Sequence, residues 1–322
     1  MLVVGPNGVG KTNLLEALHV ATQGFSPRTH QDAQLVRFGE RAARVTVSGM
    51  RGGAPIEVSV TLRDAQPKEA RLNGARLPSA EILRRELSTL VFTPDRLAVV
   101  KGGPAARRAY FDRALARLRP ARAAAPQEYL AAVAQRNAAL RRVQLGLSPL
   151  DVVEPWTEQV AALGAVLVEA RLEALALLGP GFAARAGELG LPDARLAYEG
   201  EPPTLSALVE RLPRDAERGS TGIGPHLHDV RITSGDRDLR RFGSQGEQRL
   251  SVLALLLAEA ELVEPAPLLL LDDVLSELDP GRRRVLAERI AGMGQAMITA
   301  THASSLPVDP DQLVEVLPGT AR

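Results

Sequence analysis

Gly5-Pro6-Asn7-Gly8-Val9-Gly10-Lys11-Thr12 is the stretch from which the rest of this sequence is read. It meets the phosphate-loop pattern G-x-x-x-x-G-K-[ST] at every fixed position. Each residue type has a physical reason. Glycines let successive backbone N–H groups turn inward as an anion nest, and a helix starting behind them adds the positive end of its dipole. Lys11 brings a mobile cation to the β- and γ-phosphates of a nucleotide, and the Thr12 hydroxyl is a hard oxygen donor for Mg2+. The flanks agree. Residues 1–4 are an apolar run, and Leu14, Leu15, Leu18 and Ala21 share one face of a helix predicted over residues 13–23. All eight loop residues are therefore expected to hold ATP, with Thr12 also a metal ligand.

A loop of this kind needs acids on a neighbouring strand. Leu268-Leu269-Leu270-Leu271-Asp272-Asp273 supplies them: four aliphatics make a buried strand, and the carboxylates emerge at its C-terminal end, where ligands of open α/β sheets bind. Asp272 is expected to hold Mg2+ and Asp273 to orient, or take a proton from, an attacking water. Two adjacent acids alone could merely end a strand; Lys11 and Thr12 give the pair its meaning.

Between these poles the chain changes character. Residues 43–49 and 56–62 have strand character, with Ile56, Val58, Val60 and Leu62 alternating, and Asn73-Gly74 is a hairpin turn signal. Residues 90–93 form another short apolar run. Residues 105–212 are rich in Ala, Leu and Arg and read as helical, and within 156–178 apolar residues recur at intervals of four and three, the seam of a packed helix. Strand and turn signals return after Gly219, with strands expected at 230–233, 267–271 and 296–299 and helices at 246–263 and 280–290. The expected fold is α/β, with a parallel sheet covered on both faces.

Composition narrows the classes. The chain has 322 residues, a net charge of +1 and no cysteine, which excludes disulfide frameworks and thiolate metal sites and fits a reducing compartment. No apolar run reaches membrane-span length and nothing resembles a signal peptide, so a cytoplasmic protein without a membrane partner is expected. Charge is uneven, however. Residues 101–142 hold ten Lys and Arg against Asp112 and Glu128, a local excess of eight. Such a run suits a polyanion, with Arg107, Arg108, Arg117 and Arg122 the candidate DNA contacts. A solvated helical face accounts for the same composition.

Further motifs bring a family into view. Ser244-Gln245-Gly246-Glu247-Gln248 opens a predicted helix about two dozen residues before the acid pair and resembles the signature motif of ABC-type ATPases. Ser276-Glu277-Leu278-Asp279 resembles their D-loop, and His302 lies where they carry a switch histidine. The separation of 233 residues between Lys11 and Ser244 is too long for a transporter ATPase and too short for the coiled-coil arms of SMC and Rad50 proteins. With Asn13-Leu14-Leu15-Glu16-Ala17, Gly102-x-Pro104-x-x-Arg107-Arg108-x-x-x-Asp112 and Gly222-x-Gly224-Pro225-His226, essentially the whole chain resembles the RecF family.

That resemblance implies an ABC-type head from residues 1–113 and 214–322, with an inserted helical lobe over 114–213. It implies Ser244, Gln245, Gly246 and Asp279 as ATP contacts and Asp273 and His302 as catalytic groups. It also implies ATP and Mg2+ as cofactors, an ATP-dependent homodimer, binding to single-stranded, gapped or duplex DNA, RecO and RecR type mediators as partners, and a slow DNA-stimulated ATPase. The biology implied is recombinase loading in repair, supporting replication and the SOS response. Three departures stand out. Leu227-His228-Asp229 follows Gly-Pro-His where relatives carry an arginine and acids. No Q-loop glutamine is evident, residues 93–95 being the nearest counterpart. ABC-type heads also place two strands before the phosphate loop, whereas here Met1 is four residues from Gly5; a truncated start is expected, with the strand at residues 2–4 lacking neighbours on one side. Two other classes compete: a transporter ATPase subunit, which co-purification with a permease would mark, and a structural clamp with little turnover, which measured hydrolysis would mark.

Overall fold

The computed structural model describes residues 1–29, 31–64 and 66–321. Strands in chain order are β1 (Leu2–Val4), β2 (Ala42–Arg51), β3 (Ala54–Arg63), β4 (Glu69–Leu72), β5 (Ala75–Arg76), β6 (Thr89–Phe92), β7 (Ala194–Glu199), β8 (Asp229–Ser234), β9 (Arg237–Asp238), β10 (Leu268–Leu271), β11 (Ala296–Ala300), β12 (Leu313–Leu317) and β13 (Thr320–Ala321). Contacts divide the chain into two compact units: Met1–Leu97 with Glu188–Gly190 and Leu256–Arg322, and Ala98–Gly187 with Leu191–Leu255.

The first unit is built on a six-stranded sheet in the order β13-β12-β1-β11-β10-β6, parallel except for the terminal hairpin β12–β13. Continuous aliphatic runs dictate this arrangement, because a strand apolar on both faces needs cover on both. Leu2, Val3, Leu270 and Leu271 are fully buried. Val3, Leu15, Val91, Leu270, Met297 and Val316 form one core cluster. The strand at residues 2–4 does not lack neighbours: β1 pairs with β11 on one side and β12 on the other. The sequence reading missed β12, whose Leu313-Val314-Glu315-Val316-Leu317 is short and half exposed.

Beside it lies the antiparallel sheet β2-β3-β4-β5. Gly52 and Gly53 (φ 55° and 83°) close the first hairpin, and Asn73 and Gly74 (φ 48° and 81°) the third. Two-residue loops with both φ positive match the twist of the strands they join, which is why Gly and Asn occupy them. Val58, Val60, Leu62 and Ala70 pack with Val20 and Leu83 beneath this sheet.

The second unit is mainly helical: Pro104–Leu118, Ala125–Gln144 and Glu154–Glu188 are its long helices. The seam expected over 156–178 is present, with Val160, Leu167, Ala170 and Ala174 buried. The helix is longer than expected, 35 residues or roughly 52 Å. It continues through Gly179 and Pro180 because Phe182 and Ala186 beyond them are fully buried and hold its last turns. The unit also contains the sheet β7-β8-β9. Its strand β7 lies inside the region read as helical and pairs over its whole length with β8. Residue 213 therefore marks no break in the hydrogen-bonding pattern.

Candidate nucleotide site and the arginine-rich segment

In the first unit the sheet register gathers the sequence motifs. Val4 lies beside Ala300, and Leu271 beside Ile298 and Phe92. The phosphate loop, the acid pair, His302 and residues 93–95 thus all leave the carboxyl ends of adjacent strands.

The loop enters the helix Lys11–Gln23 through Gly10 at φ 114°; no side chain caps the helix and no acid lies in its first turn. Its first N–H groups are therefore available to an anion. Gly5 is required by packing, since a Cβ there would stand 2.6 Å from the carbonyl oxygen of Val316. A Cβ at Gly8 or Gly10 would meet nothing within 4 Å, so the space beside both residues is open and their positive φ, rather than packing, calls for glycine. The Lys11 ammonium donates to the carbonyls of Gly5 (2.6 Å) and Pro6 (2.9 Å), which places it over the loop.

Asp272 is buried and sits at the centre of a chain of hydrogen bonds. The Thr12 hydroxyl donates to its carboxylate, with oxygens at 3.0 and 3.1 Å, and the Thr299 hydroxyl donates to Oδ1 at 2.7 Å. Thr299 also accepts from the backbone N–H of Asp273 at 2.9 Å. Asp273 itself is exposed, with a left-handed backbone (φ 47°), and its Oδ2 accepts from the Ser276 hydroxyl at 3.0 Å. Thr12 and Asp272 thus bring hard oxygen donors together beside an anion nest. That donor set suits Mg2+, which takes one or two protein oxygens and completes its shell with phosphate and water. Sequence reasoning missed Thr299; only the parallel pairing of β10 with β11 puts it here.

The remaining candidates are more dispersed. His302 is exposed two residues beyond β11. Residues 93–95 follow β6, where Asp272 N–H donates to Phe92 O at 2.9 Å; Thr93 is buried and Asp95 exposed. Asp279 caps the helix Pro280–Ala291, its Oδ1 accepting from Arg282 N–H at 3.0 Å, and that bond holds its carboxyl below the usual range.

In the second unit, Ser244, Gln245 and Gly246 are exposed at the start of the helix Gln245–Leu262. Ser244 Oγ accepts from Glu247 N–H at 3.2 Å, and the Glu247 carboxylate accepts from Ser244 N–H at 2.8 Å. This reciprocal capping box fixes the serine at the helix start. Glu247 is also bridged by Arg237 at 2.7 Å, and its carboxyl is held low, first by the Ser244 N–H and then by Arg237.

The arginine-rich segment is only in part an open cationic face: Lys101, Arg113, Arg119, Arg141 and Arg142 are exposed, whereas Arg107 and Arg136 are buried. Arg107 is 3% exposed, forks onto both oxygens of Asp229 (2.6 and 2.7 Å) and donates to the carbonyls of Val100 and Gly102. It cannot reach a phosphate without abandoning these, so its expected DNA role is corrected to a structural one. Arg108 is half-buried and donates to the carbonyl of His228 at 2.7 Å. Arg122 bridges Glu169 and Glu173 at 3.2 and 3.1 Å, and Arg117 is half-buried.

The turn at residues 221–229 explains where these arginines go. The Arg171 fork holds Asp112 and donates to Pro225 O at 2.7 Å. His226 meets Tyr129 Oη at 2.7 Å and His228 meets Tyr198 Oη at 2.9 Å. Burial, chiefly, pushes both imidazoles below their ordinary value, His228 down to about 4 with help from Arg171, His226 and Arg108. Arg136 and Asp215, both fully buried, pair at 2.8 Å behind the turn, and Arg136 also donates to the Thr221 hydroxyl at 2.9 Å.

A phosphate loop on one parallel strand, acids at the end of another, and a serine–glycine helix start define the chain as an ABC-type ATPase head. A family model described as the RecF/RecN/SMC N terminal domain matches residues 1–320. The DNA replication and repair protein RecF of Heliobacterium modesticaldum is 35% identical over 97% of this chain and 88% of that protein. Its counterpart in Myxococcus xanthus is 37% identical over 95% of this chain and 85% of that protein. The chain belongs to the RecF family. Among solved structures, the recombination mediator protein RecF with ATP in the RecFOR pathway matches with TM-score 0.85 at 26% identity, covering 100% of this chain and 90% of that one. An Smc head bound to the C-winged helix domain of ScpA shares the fold, with TM-score 0.59 at 16% identity over 100% of this chain and 88% of that one. Among the described residues no helix is long and apolar enough to cross a membrane.

Proposed function

We propose that this chain is an ATP-driven clamp on DNA in recombinational repair, in which two copies close on each other when ATP is bound and part when it is hydrolysed. The observation that carries this reading is the hydrogen-bonded chain Thr12–Asp272–Thr299–Asp273 at the end of the parallel sheet. It supports a site with separate holding and reacting groups. The N–H groups of residues 8–12 and the Lys11 ammonium bind the phosphates. Thr12 and Asp272 hold Mg2+, which supplies neutralising positive charge when bound. Asp273 lies outside that buried pair, with Ser276 on one oxygen, and is placed to orient a water and receive its proton. His302 stands at the same end of the sheet as a second polar group near the departing phosphate.

Ser244, Gln245, Gly246 and Asp279 would complete the site of a second copy, because both helix starts are exposed and carry N–H groups or a capping acid. In this reading residues 1–113 and 214–322 act as the head, and residues 114–213 as an inserted lobe. DNA lies against the remaining basic groups Arg108, Arg117 and Arg122, with RecO and RecR type mediators as partners in recombinase loading. Asp273 is one methylene shorter than glutamate, which favours slow turnover.

The test is Asp273→Asn. Loss of a general base predicts roughly 100- to 10,000-fold slower hydrolysis. Binding survives, because Lys11, Thr12 and Asp272 remain, so the variant should accumulate as an ATP-bound dimer that leaves DNA slowly. If it stays monomeric with ATP, or leaves DNA as fast as wild type, the clamp reading is wrong.

A further inference from the structure

The segment between the phosphate-loop helix and β2 carries a feature that the nucleotide site does not use. Phe38 is completely exposed, at 104% of its reference surface. It sits on a turn closed by a hydrogen bond from Glu40 N–H to Arg37 O at 2.9 Å, with Gly39 at φ 88° in the third position. That is the geometry of a type II turn, which needs glycine there and projects the preceding residue outward. The turn is anchored rather than loose. Leu35 and Val36 pack into the cluster of Val58, Val60 and Leu62, and Asp32 is held by Lys68 at 2.9 Å.

The surroundings of the ring are basic. Arg37, Arg41 and Arg44 are exposed within seven residues of one another, opposed by Glu40 alone in that stretch. Neither Arg37 nor Arg41 forms an ion pair with a described residue. From Arg44 the exposed positions Thr46 and Ser48 continue along one face of β2, an edge strand of its sheet. Among the described residues, no other large apolar side chain before Met50 is exposed. A docking site for a folded protein would gather several apolar groups; a single aromatic among guanidiniums suits a planar base on a charged backbone.

We propose that Phe38, flanked by Arg37 and Arg41, is a stacking platform for an unpaired base of single-stranded DNA. This rests on the DNA-binding part of the function proposed above and adds to it a specific contact and a preference for unpaired strands. Bases inside a duplex are already stacked on both faces and cannot cover the ring. The guanidiniums reach the phosphates on either side.

The experiment measures binding of the full chain to a labelled oligothymidylate and to a blunt duplex across a salt series. Phe38→Ala should weaken oligothymidylate binding about 5- to 150-fold, the range of one base–aromatic stack, and affect the duplex far less. Phe38→Trp should restore single-strand binding. Reversing Arg37 and Arg41 to Glu should lower the single-strand salt slope by about 0.7 per lost contact. All three positions are exposed, so thermal stability should not change. If the wild type binds DNA and Phe38→Ala binds oligothymidylate equally well, this inference fails while the clamp reading stands. Equal losses on both DNA forms would also overturn stacking, and a wild type that binds no DNA would overturn both readings.

Discussion

Polar groups gather in two places in this molecule and are used in opposite ways. At the carboxyl end of the parallel sheet, Thr12, Asp272 and Thr299 bond to one another, while Asp273 is exposed beside them and the Lys11 ammonium lies over the loop. Around residues 221–229, Arg107, Arg136, Arg171, Asp112, Asp215 and Asp229 are turned inward and pair with one another, although Arg136 Nη2 is buried without a partner among the described residues. The first arrangement is open to a ligand. The second is a brace: it holds a glycine-rich turn whose Gly224 lies so close to Tyr129 that a Cβ would stand 2.3 Å from its hydroxyl. Access to solvent, rather than the number of charges, separates a site from a scaffold.

The sharpest way to break this contrast is Arg136→Met. Removing one partner of a buried pair leaves the other uncompensated, at about 3 to 5 kcal/mol. The lower end is expected here, since Arg211 remains 3.1 Å from Asp215. Urea unfolding measures it, and a loss within the range of a surface ion pair, below about 1 kcal/mol, would mean that the network is no brace.

A second effect comes from the turn's histidines. His228 is held neutral when folded, so an unfolded chain takes up a proton that the folded one refuses. Its contribution to stability is present above the ordinary value of 6.5 and is lost as pH falls toward about 4. Tyr198, Arg171, Arg108 and His226 surround the ring. The gap in urea midpoint between wild type and His228→Gln should therefore narrow from pH 7 to pH 4. A constant gap would show that the ring titrates alike in both states.

The smallest effect sharpens the comparison at its margin. Arg122 bridges Glu169 and Glu173 at the surface, so Arg122→Ala should cost less than about 1 kcal/mol. If the side chain meets a phosphate as proposed, the duplex salt slope falls by about 0.9. An unchanged slope assigns Arg122 to the scaffold with Arg107.

The same contrast explains what was legible in the sequence. The phosphate loop and the acid pair depend on neighbours within a few residues, so their chemistry can be read directly, along with the helix behind one and the strand before the other. The capping box of Ser244 and Glu247 is equally local and could have been read from its S-x-x-E spacing. Thr299 could not, because its place depends on the parallel register between β10 and β11. The buried arginines misled because their acids are remote: Asp229 is 122 residues from Arg107 and Asp215 is 79 from Arg136. A charge count within one window cannot see partners that only the fold brings back. For the same reason β7 was lost in a helical region and β12 went unread, since each is a strand only through its pairing with β8 or β1.

The central claim is that each ATP is held by the phosphate loop of one copy and the Ser244 helix start of the other. Mixing two inactive variants tests it most directly. Lys11→Ala lacks the phosphate cation, and Ser244→Arg blocks the helix start that closes on the partner's nucleotide. Neither should hydrolyse ATP or dimerise alone. In a mixed dimer one site pairs the intact Lys11 of the Ser244→Arg copy with the intact Ser244 of the Lys11→Ala copy. Hydrolysis should therefore reappear on mixing, rising to a maximum near equal amounts of the two. If the mixture stays as inactive as its components, or if Ser244→Arg alone dimerises and hydrolyses like wild type, the site is not shared between copies and the clamp account is contradicted.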